Sequence, residues 1–282
     1  MDVSLAIFVP PLRTGVSDNV SYIQPDSEYN RKVAFKNKLR TFLRERIRRP
    51  LDIVITGSTV SGIGTRDSDV DMCICSPQFA GKKEEGMTRE QEREWRTKLK
   101  GKSGDLLLRC MGYMLHDEDA AFLRIESCKF VEAMVPILKV KAMCFDEVTG
   151  EDGPIEADVS ASNEVFISSL HNSRLIKGYT DVDERFAPLV VFAKEWAAAA
   201  GVKDPIHRRF NSYTVTLLVI HFLQCGMPSP VLPNLQGLHP CLFAVSEKSF
   251  PARIDFQEPF PEPIPGDFLN LFIFGDYKDF QR

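Results

Sequence analysis

The chain has 282 residues, 44% of them hydrophobic, which is enough for one large core or two modest ones. Its formal net charge of −4 excludes a protein that holds nucleic acid by overall positive charge, so an RNA or DNA substrate would need a local cleft or a partner that delivers it. The longest apolar stretch, 215–223, is about half the length of a bilayer-spanning helix, and no membrane role is expected.

The seven cysteines indicate a protein kept under reducing conditions. Their number is odd, none forms a C-x-x-C pair, and no signal peptide precedes them. Cys73 and Cys75 form a C-x-C pair that could bind a metal, but zinc sites use wider spacing and a second pair of ligands. Buried thiols and a cytoplasmic location are therefore expected, with a nuclear location left open.

The first elements predicted in chain order are an arm, a helix and two strands. Residues 1–26 are rich in Pro, Gly, Ser and Asn and predict a flexible arm. Residues 27–49 have helical apolar spacing that ends at Pro50. The β-branched run 51–56 is typical of a buried strand, and a second strand is predicted at 69–75.

The rest of the chain changes from strands to helices. A charged loop and a solvated helix (90–100) are followed by predicted strands at 122–125, 135–143 and 155–159, the last two joined by a hairpin loop at 146–153. Helices are predicted at 164–178, 185–200, 211–225 and 268–274. Strands followed by helices are the pattern of an α+β chain.

The motif that indicates chemistry is Ser68-Asp69-Val70-Asp71. Because side chains alternate along a strand, Asp69 and Asp71 are expected on one face and Val70, Met72 and Ile74 on the other. Neighbouring carboxylates repel each other, and a divalent cation removes this conflict. Carboxylate oxygens completed by substrate phosphates are ligands that Mg²⁺ prefers. Alone, the D-x-D pattern is weak, since it also occurs at exposed strand ends.

Gly57-Ser58, upstream of this motif, strengthens the interpretation. A strand that ends in Gly-Ser lets the backbone approach a phosphate, and the following N–H groups and the Ser58 hydroxyl are donors for its oxygens. Ser58 could instead be a helix N-cap. A phosphate-binding turn on one strand and a carboxylate pair on the next together predict metal-assisted phosphoryl transfer.

A third carboxylate is predicted within 155–159. Alternation places Ile155, Ala157 and Val159 toward the core and leaves Glu156 and Asp158 on the opposite face. Asp158 is the candidate third ligand, able to help deprotonate an attacking 3′-hydroxyl, with Glu156 as the alternative. An exposed hairpin acid is the remaining interpretation.

Together these residues resemble the motifs of the DNA-polymerase-β-type nucleotidyltransferases, specifically the branch of cytoplasmic poly(A) polymerases and terminal uridylyltransferases. The segment 57–71 is similar to the family's turn and metal dyad in composition and spacing, and Asp158 matches the third acid. The segments 170–175, 189–197 and 211–236 resemble helices of the family's central domain and the loop after them. The resemblance covers residues 27–275.

The resemblance implies an architecture. A small mixed-sheet nucleotidyltransferase domain (50–163) would be followed by a helical central domain (164–282), with the active site in the cleft between them. The helix at 27–49 would pack on the central domain. Relatives continue beyond the helix matching 265–274 into a segment that completes the nucleotide pocket, whereas this sequence stops at Arg282, so the expectation is a chain that is either naturally short or incomplete.

The resemblance also implies roles for individual residues. Two ions, Mg²⁺ or Mn²⁺, would be held by three aspartates that are also the catalytic residues: Asp69, Asp71 and Asp158. The nucleotide would be bound by a turn, a helix-borne lysine, polar groups and a stacking ring: Gly57, Ser58, Asn172, Lys194, Ser212 and Tyr213.

The implied function is template-independent addition of nucleotides to an RNA 3′ end. Many relatives, particularly uridylyltransferases, have a second basic residue one turn after Lys194, but this chain has Ala198. This difference either weakens triphosphate binding or favours AMP over UMP. ATP or UTP and an RNA-binding protein that recruits the enzyme are the expected partners. The alternative is a weak or inactive relative that acts as an RNA-processing scaffold.

Overall fold

The computed structural model describes residues 23–47, 51–75, 87–133, 135–145, 150, 152–162 and 168–243. Their contacts form two compact units. The sheet unit contains 24–178 and 235–243, and the helical unit contains 23 and 179–234. The predicted arm up to residue 22, the predicted helix at 268–274 and the predicted boundary at 163/164 lie outside the described residues.

A five-stranded mixed sheet forms the centre of the sheet unit. Its strands are β1 (Asp52–Thr56), β2 (Val70–Cys75), β3 (Ile125–Val131), β4 (Ile137–Phe145) and β5 (Asp152–Ser162). The spatial order is β1-β2-β5-β4-β3; β2 and β5 are parallel, and the other neighbours are antiparallel. The predicted mixed sheet of an α+β chain is confirmed.

One face of this sheet is the hydrophobic core. The alternate residues predicted to face inward on β2 and β5 are all buried: Val70, Met72, Ile74, Ile155, Ala157 and Val159. Burying alternate apolar residues fixes the register, because a slip by one residue would expose all of them. The acidic side chains on the same strands are thereby committed to the opposite face.

Helix α1 (Asp26–Arg46) covers the core face, close to the span predicted for it. Its buried apolar side chains belong to the same cluster as the sheet residues: Phe35, Leu39, Phe42 and Leu43. The resemblance placed this helix on the central domain, whereas in the structure it packs within the sheet unit. The reason is its apolar stripe at helical spacing, which buries against the sheet.

Two elements differ from the sequence prediction. The helix predicted at 90–100 extends as α3 (Arg89–His116), because its second half carries the buried residues Leu107 and Cys110 that hold it on the core. The strand predicted at 122–125 is wrong in position. Residues Glu118–Leu123 form a 3₁₀-helix, and β3 begins at Ile125.

Among the remaining helices, the three long ones follow the prediction. A single turn, α2 (Ser58–Ser61), follows β1, and α4 (Ser168–Val182) continues from the sheet unit into the helical unit. The helical unit contains α5 (Phe186–Ala199) and α6 (Ser212–Cys225), and the short helices α7 (Leu235–Leu238) and α8 (Pro240–Phe243) belong to the sheet unit. Within the described residues, every helix is too short or too polar to cross a membrane.

The C-x-C pair has a structural explanation. Cys73 and Cys75 are buried and pack with Leu170 of α4 and the partly buried Val54. These thiols therefore act as small apolar groups that fasten the start of α4 to the outer face of the sheet. Of the described cysteines, Cys225 is exposed.

Candidate active site

The candidate acids lie side by side on the outer face of the sheet. In the parallel register of β2 and β5, Asp71 is directly opposite Asp158, and in the antiparallel register of β1 and β2 it is opposite Thr56. Asp69 immediately precedes β2. Asp71 and Asp158 are 87 positions apart in the sequence (158 − 71), yet they are neighbours on adjacent strands.

The turn after β1 lies against one of these acids. Gly57 has a φ of +73° and a ψ of −152°, a conformation available almost only to glycine. A Cβ at this position would lie 2.9 Å from Cγ of Asp71 and closer still to its Oδ2. Glycine is therefore required both by the backbone conformation and by the close approach of the Asp71 carboxylate.

A serine on α4 holds this turn in place. The Gly57 N–H donates to Oγ of Ser173 at 2.7 Å, and this hydroxyl donates to the Ser169 carbonyl at 2.6 Å. Ser173 is only 3% exposed. The Gly57 N–H is thus already satisfied, so the part played by Gly57 is steric. In the sequence Ser173 gave no signal of its own, because a helical serine commonly bonds back to its preceding turn.

The acids act on one another electrostatically. Burial raises the pKa of Asp69 above its usual value, and the negative charge of Asp158 raises it further. Lys139 and Lys32 lower this pKa again, but the net shift is upward. A cation beside Asp69 would favour the ionised form of its carboxyl group and so offset the raised pKa.

A buried lysine forms a hydrogen bond to the loop that leads into β2. Nζ of Lys32, on α1, donates to Oε1 of Gln24 and to the Ser68 carbonyl, both at 2.7 Å, and the residue is 3% exposed. Burial lowers the pKa of Lys32 to about 8, while the charges of Asp69 and Asp71 oppose that shift. The sequence prediction missed this residue, since a lysine on an amphipathic helix ordinarily reaches solvent.

Lys32 predicts a specific pH dependence of stability. The unfolded lysine keeps its proton up to a pKa of 10.5, whereas the folded one loses it from about 8, so the unfolded state binds more protons between these values. The free energy of unfolding therefore increases as pH rises through this window, by about 2 kcal/mol between pH ~7 and ~9.5. Urea unfolding at pH ~7 and ~9.5 should show this gain in the wild type relative to Lys32→Met. Equal pH slopes in the two proteins would contradict it.

A second lysine is paired with the third acid. Nζ of Lys139, on β4, lies 3.1 Å from both Oδ1 and Oδ2 of Asp158. Glu156, the alternative third ligand, is more exposed and is paired with Lys141. The hard oxygens of the acids suit Mg²⁺ or Mn²⁺. In the described part of the chain, however, no three acidic, histidine or cysteine side chains are arranged to enclose an ion.

The other predicted nucleotide-binding residues are divided between the units. Ser58 begins α2, and the half-buried Asn172 lies on α4 in the sheet unit. Lys194 on α5, with Ser212 and Tyr213 at the start of α6, belongs to the helical unit. Tyr213 is half-buried, and burial raises its pKa. Their roles in nucleotide binding stay predictions.

A mixed sheet with adjacent acids on parallel strands, next to a glycine-serine turn, defines a nucleotidyltransferase fold of the DNA-polymerase-β type. The family model described as "Poly(A) RNA polymerase, mitochondrial-like, central palm domain" matches residues 16–181. The chain belongs to this family, and the resemblance drawn from the sequence is confirmed.

Relatives and solved structures agree with this assignment. Poly(A) RNA polymerase gld-2 of Caenorhabditis elegans is 32% identical over 78% of this chain and 17% of its own length. A structure of a GLD-2/RNP-8 complex matches 88% of this chain and 65% of its own with a TM-score of 0.64 and 27% identity. A cytoplasmic RNA terminal U-transferase shares the fold with a TM-score of 0.54 at 22% identity, over 77% of this chain and 55% of its own. The matched part of the chain thus covers less than a fifth of the worm polymerase.

Proposed function

We propose that this chain carries the catalytic centre of a template-independent RNA 3′-terminal nucleotidyltransferase. The observation that supports this most is the register of β2 and β5, which sets Asp71 beside Asp158, with Asp71 also lying against the Gly57 turn. Burial raises the pKa of Asp69, and the charge of Asp158 raises it further. Such a cluster of carboxylates is costly in a simple binding module and useful where a cation and a triphosphate meet.

In the proposed reaction the RNA 3′-oxygen forms a bond to the α-phosphorus of an NTP, and the bond from that phosphorus to pyrophosphate breaks. In this proposal Asp158 helps to accept the proton of the hydroxyl. Mg²⁺ or Mn²⁺ held by Asp69, Asp71 and Asp158 would supply Lewis-acid stabilisation of the oxygens when bound.

The remaining predicted residues bind the nucleotide in this proposal. Ser58, Lys194 and Ser212 contact phosphates, since a hydroxyl donates to phosphate oxygens and an ammonium adds charge. Asn172 meets the ribose or the base. Tyr213 stacks on the base, which contributes affinity without choosing a base.

The nucleotide proposed is ATP in preference to UTP. The relative at 32% identity is named a poly(A) RNA polymerase, whereas the U-transferase shares the fold alone. Ala198, one turn after Lys194, removes a positive charge that the resemblance associates with uridylyltransferases. Adenylation is therefore the better-supported reaction.

Recruitment by a partner protein and a cytoplasmic location complete the proposal. A net charge of −4 supplies little general attraction for RNA, and the affinity of the isolated chain for RNA should be low and strongly salt-dependent. A similar solved structure is itself a complex, of GLD-2 with RNP-8.

The test is an extension assay with each NTP in turn. The full chain is incubated with an oligo(A) primer, Mg²⁺ or Mn²⁺, and ATP, UTP, CTP or GTP separately. We expect extension with ATP, weaker extension with UTP, and elimination of both by EDTA. Absence of extension under every condition would favour the scaffold alternative, for which the ion pair that already engages Asp158 is the supporting observation.

A further inference from the structure

Strand β4 presents two lysines toward two acids of β5. In the antiparallel register Lys139 is opposite Asp158 and Lys141 is opposite Glu156. Both are ion pairs, and the two lysine side chains are almost equally exposed, at 56% and 57%. Two successive positions on one face of β4 thus form the same kind of lysine–carboxylate pair with β5.

The acids of the two pairs are in different surroundings. The Asp158 side chain is 22% exposed, against 61% for Glu156. Asp158 also has Asp71 as its neighbour on β2, and its charge helps to raise the pKa of Asp69. Glu156 affects that pKa too, but less than Asp158, Lys139 or Lys32. Asp158 is therefore the acid of the two that belongs to the candidate ion site.

Lys139 competes with an ion for the same oxygens. Its Nζ lies 3.1 Å from both carboxylate oxygens of Asp158, so both are engaged by one ammonium group. A divalent cation that used either oxygen would face this positive charge at close range. Cation binding and the ion pair therefore oppose each other.

We propose that Lys139 is an exchangeable counter-ion of Asp158, which a divalent cation displaces when it binds, so that the lysine weakens the binding of metal in the absence of nucleotide. The inference rests on the proposed function, because it assumes that Asp158 is an ion ligand. The physical basis is that the ion pair between Lys139 and Asp158 must break when the cation binds. The free energy of that pair is therefore subtracted from the free energy of cation binding. For a partly exposed pair this corresponds to about a fivefold loss of affinity.

The test compares Mn²⁺ affinity of the full chain without nucleotide, measured by electron paramagnetic resonance of free Mn²⁺. Lys139→Met should bind Mn²⁺ about fivefold more tightly than the wild type, because the competing ammonium is gone and the exposed methionine leaves the fold intact. Lys141→Met, which removes the matched pair two residues away, should change the affinity less than twofold, because its partner Glu156 is the more exposed acid and lies outside the candidate ion site. Equal or weaker binding by Lys139→Met would overturn the proposal.

A second pair of variants separates this inference from the proposed function. In an Asp158→Asn background, Lys139→Met should no longer change Mn²⁺ affinity, because the shared carboxylate is absent. If the fivefold effect persisted there, a general charge effect would replace the proposed exchange. If Mn²⁺ binding is saturable and is lost in Asp71→Asn, yet Lys139→Met has no effect, the inference fails and the ion site stands. If no binding depends on Asp71 or Asp158, both fail.

Discussion

Replacing Asp69 and Asp71 together by asparagine should lower the rate of RNA extension by about 10³-fold or more while leaving the protein folded. The two acids are proposed ion ligands, and a bound cation contributes several kcal/mol to the charge stabilisation of phosphoryl transfer. Asparagine keeps the size and polarity of each side chain but provides a weaker, neutral ligand. The measurement is single-turnover extension of a labelled primer at saturating ATP.

Stability supplies the control for this double variant. Because the folded pKa of Asp69 is raised, its ionisation at neutral pH costs stability, and the cost appears as pH rises through that raised pKa. Removing the charges should leave the melting temperature unchanged or higher in metal-free buffer. A lower melting temperature would assign the acids a structural role, and substantial extension by the folded double variant would refute the proposed centre.

Gly57→Ala should impair both stability and activity, with the larger effect on activity. An alanine at a φ of +73° and a ψ of −152° is strained, at a cost of ~1–3 kcal/mol. Its Cβ would also lie 2.9 Å from Cγ of Asp71, so this carboxylate must rotate away. Misplacement of a reacting group by ~1 Å can cost 10²-fold in rate. Chemical denaturation and single-turnover extension measure the two parts separately.

Gly101→Ala is the matched control for this substitution. Gly101 lies within α3, where an added Cβ meets nothing within 4 Å. Alanine there should stabilise the protein by ~0.5–1 kcal/mol, since glycine is a poor helix former, and leave extension unchanged. If Gly57→Ala were as benign as this control, the close approach of the turn to Asp71 would have no functional importance.

Much of the fold followed from local patterns. The β-branched run that became β1 and the alternation in β2 predicted these strands nearly to the residue. The alternation at 155–159 located β5, which extends three residues further at each end. The prediction failed where a segment has the local pattern of a strand but adopts another conformation in the folded protein. The start of β3 was misplaced because Phe122 and Leu123 look like strand residues but belong to a 3₁₀-helix, which is followed by Arg124 at a φ of 50°.

The sequence by itself determined which residue types are available for chemistry and on which face of each strand they lie. Asp69, Asp71 and Asp158 were recognisable because alternation along a strand is a local rule, and a glycine-serine turn is a local signal. The same alternation identified the core, because it places the apolar residues of each strand on the face opposite the acids.

Only the tertiary structure decided which distant residues meet. Lys32 reaches Ser68, Ser173 holds Gly57, and Lys139 engages Asp158. No local pattern marks these three, because a lysine or serine on a helix or strand reads as solvent-exposed until the fold brings a partner to it. The register of β2 with β5, which places Asp71 beside Asp158, likewise depends on how the whole sheet assembles.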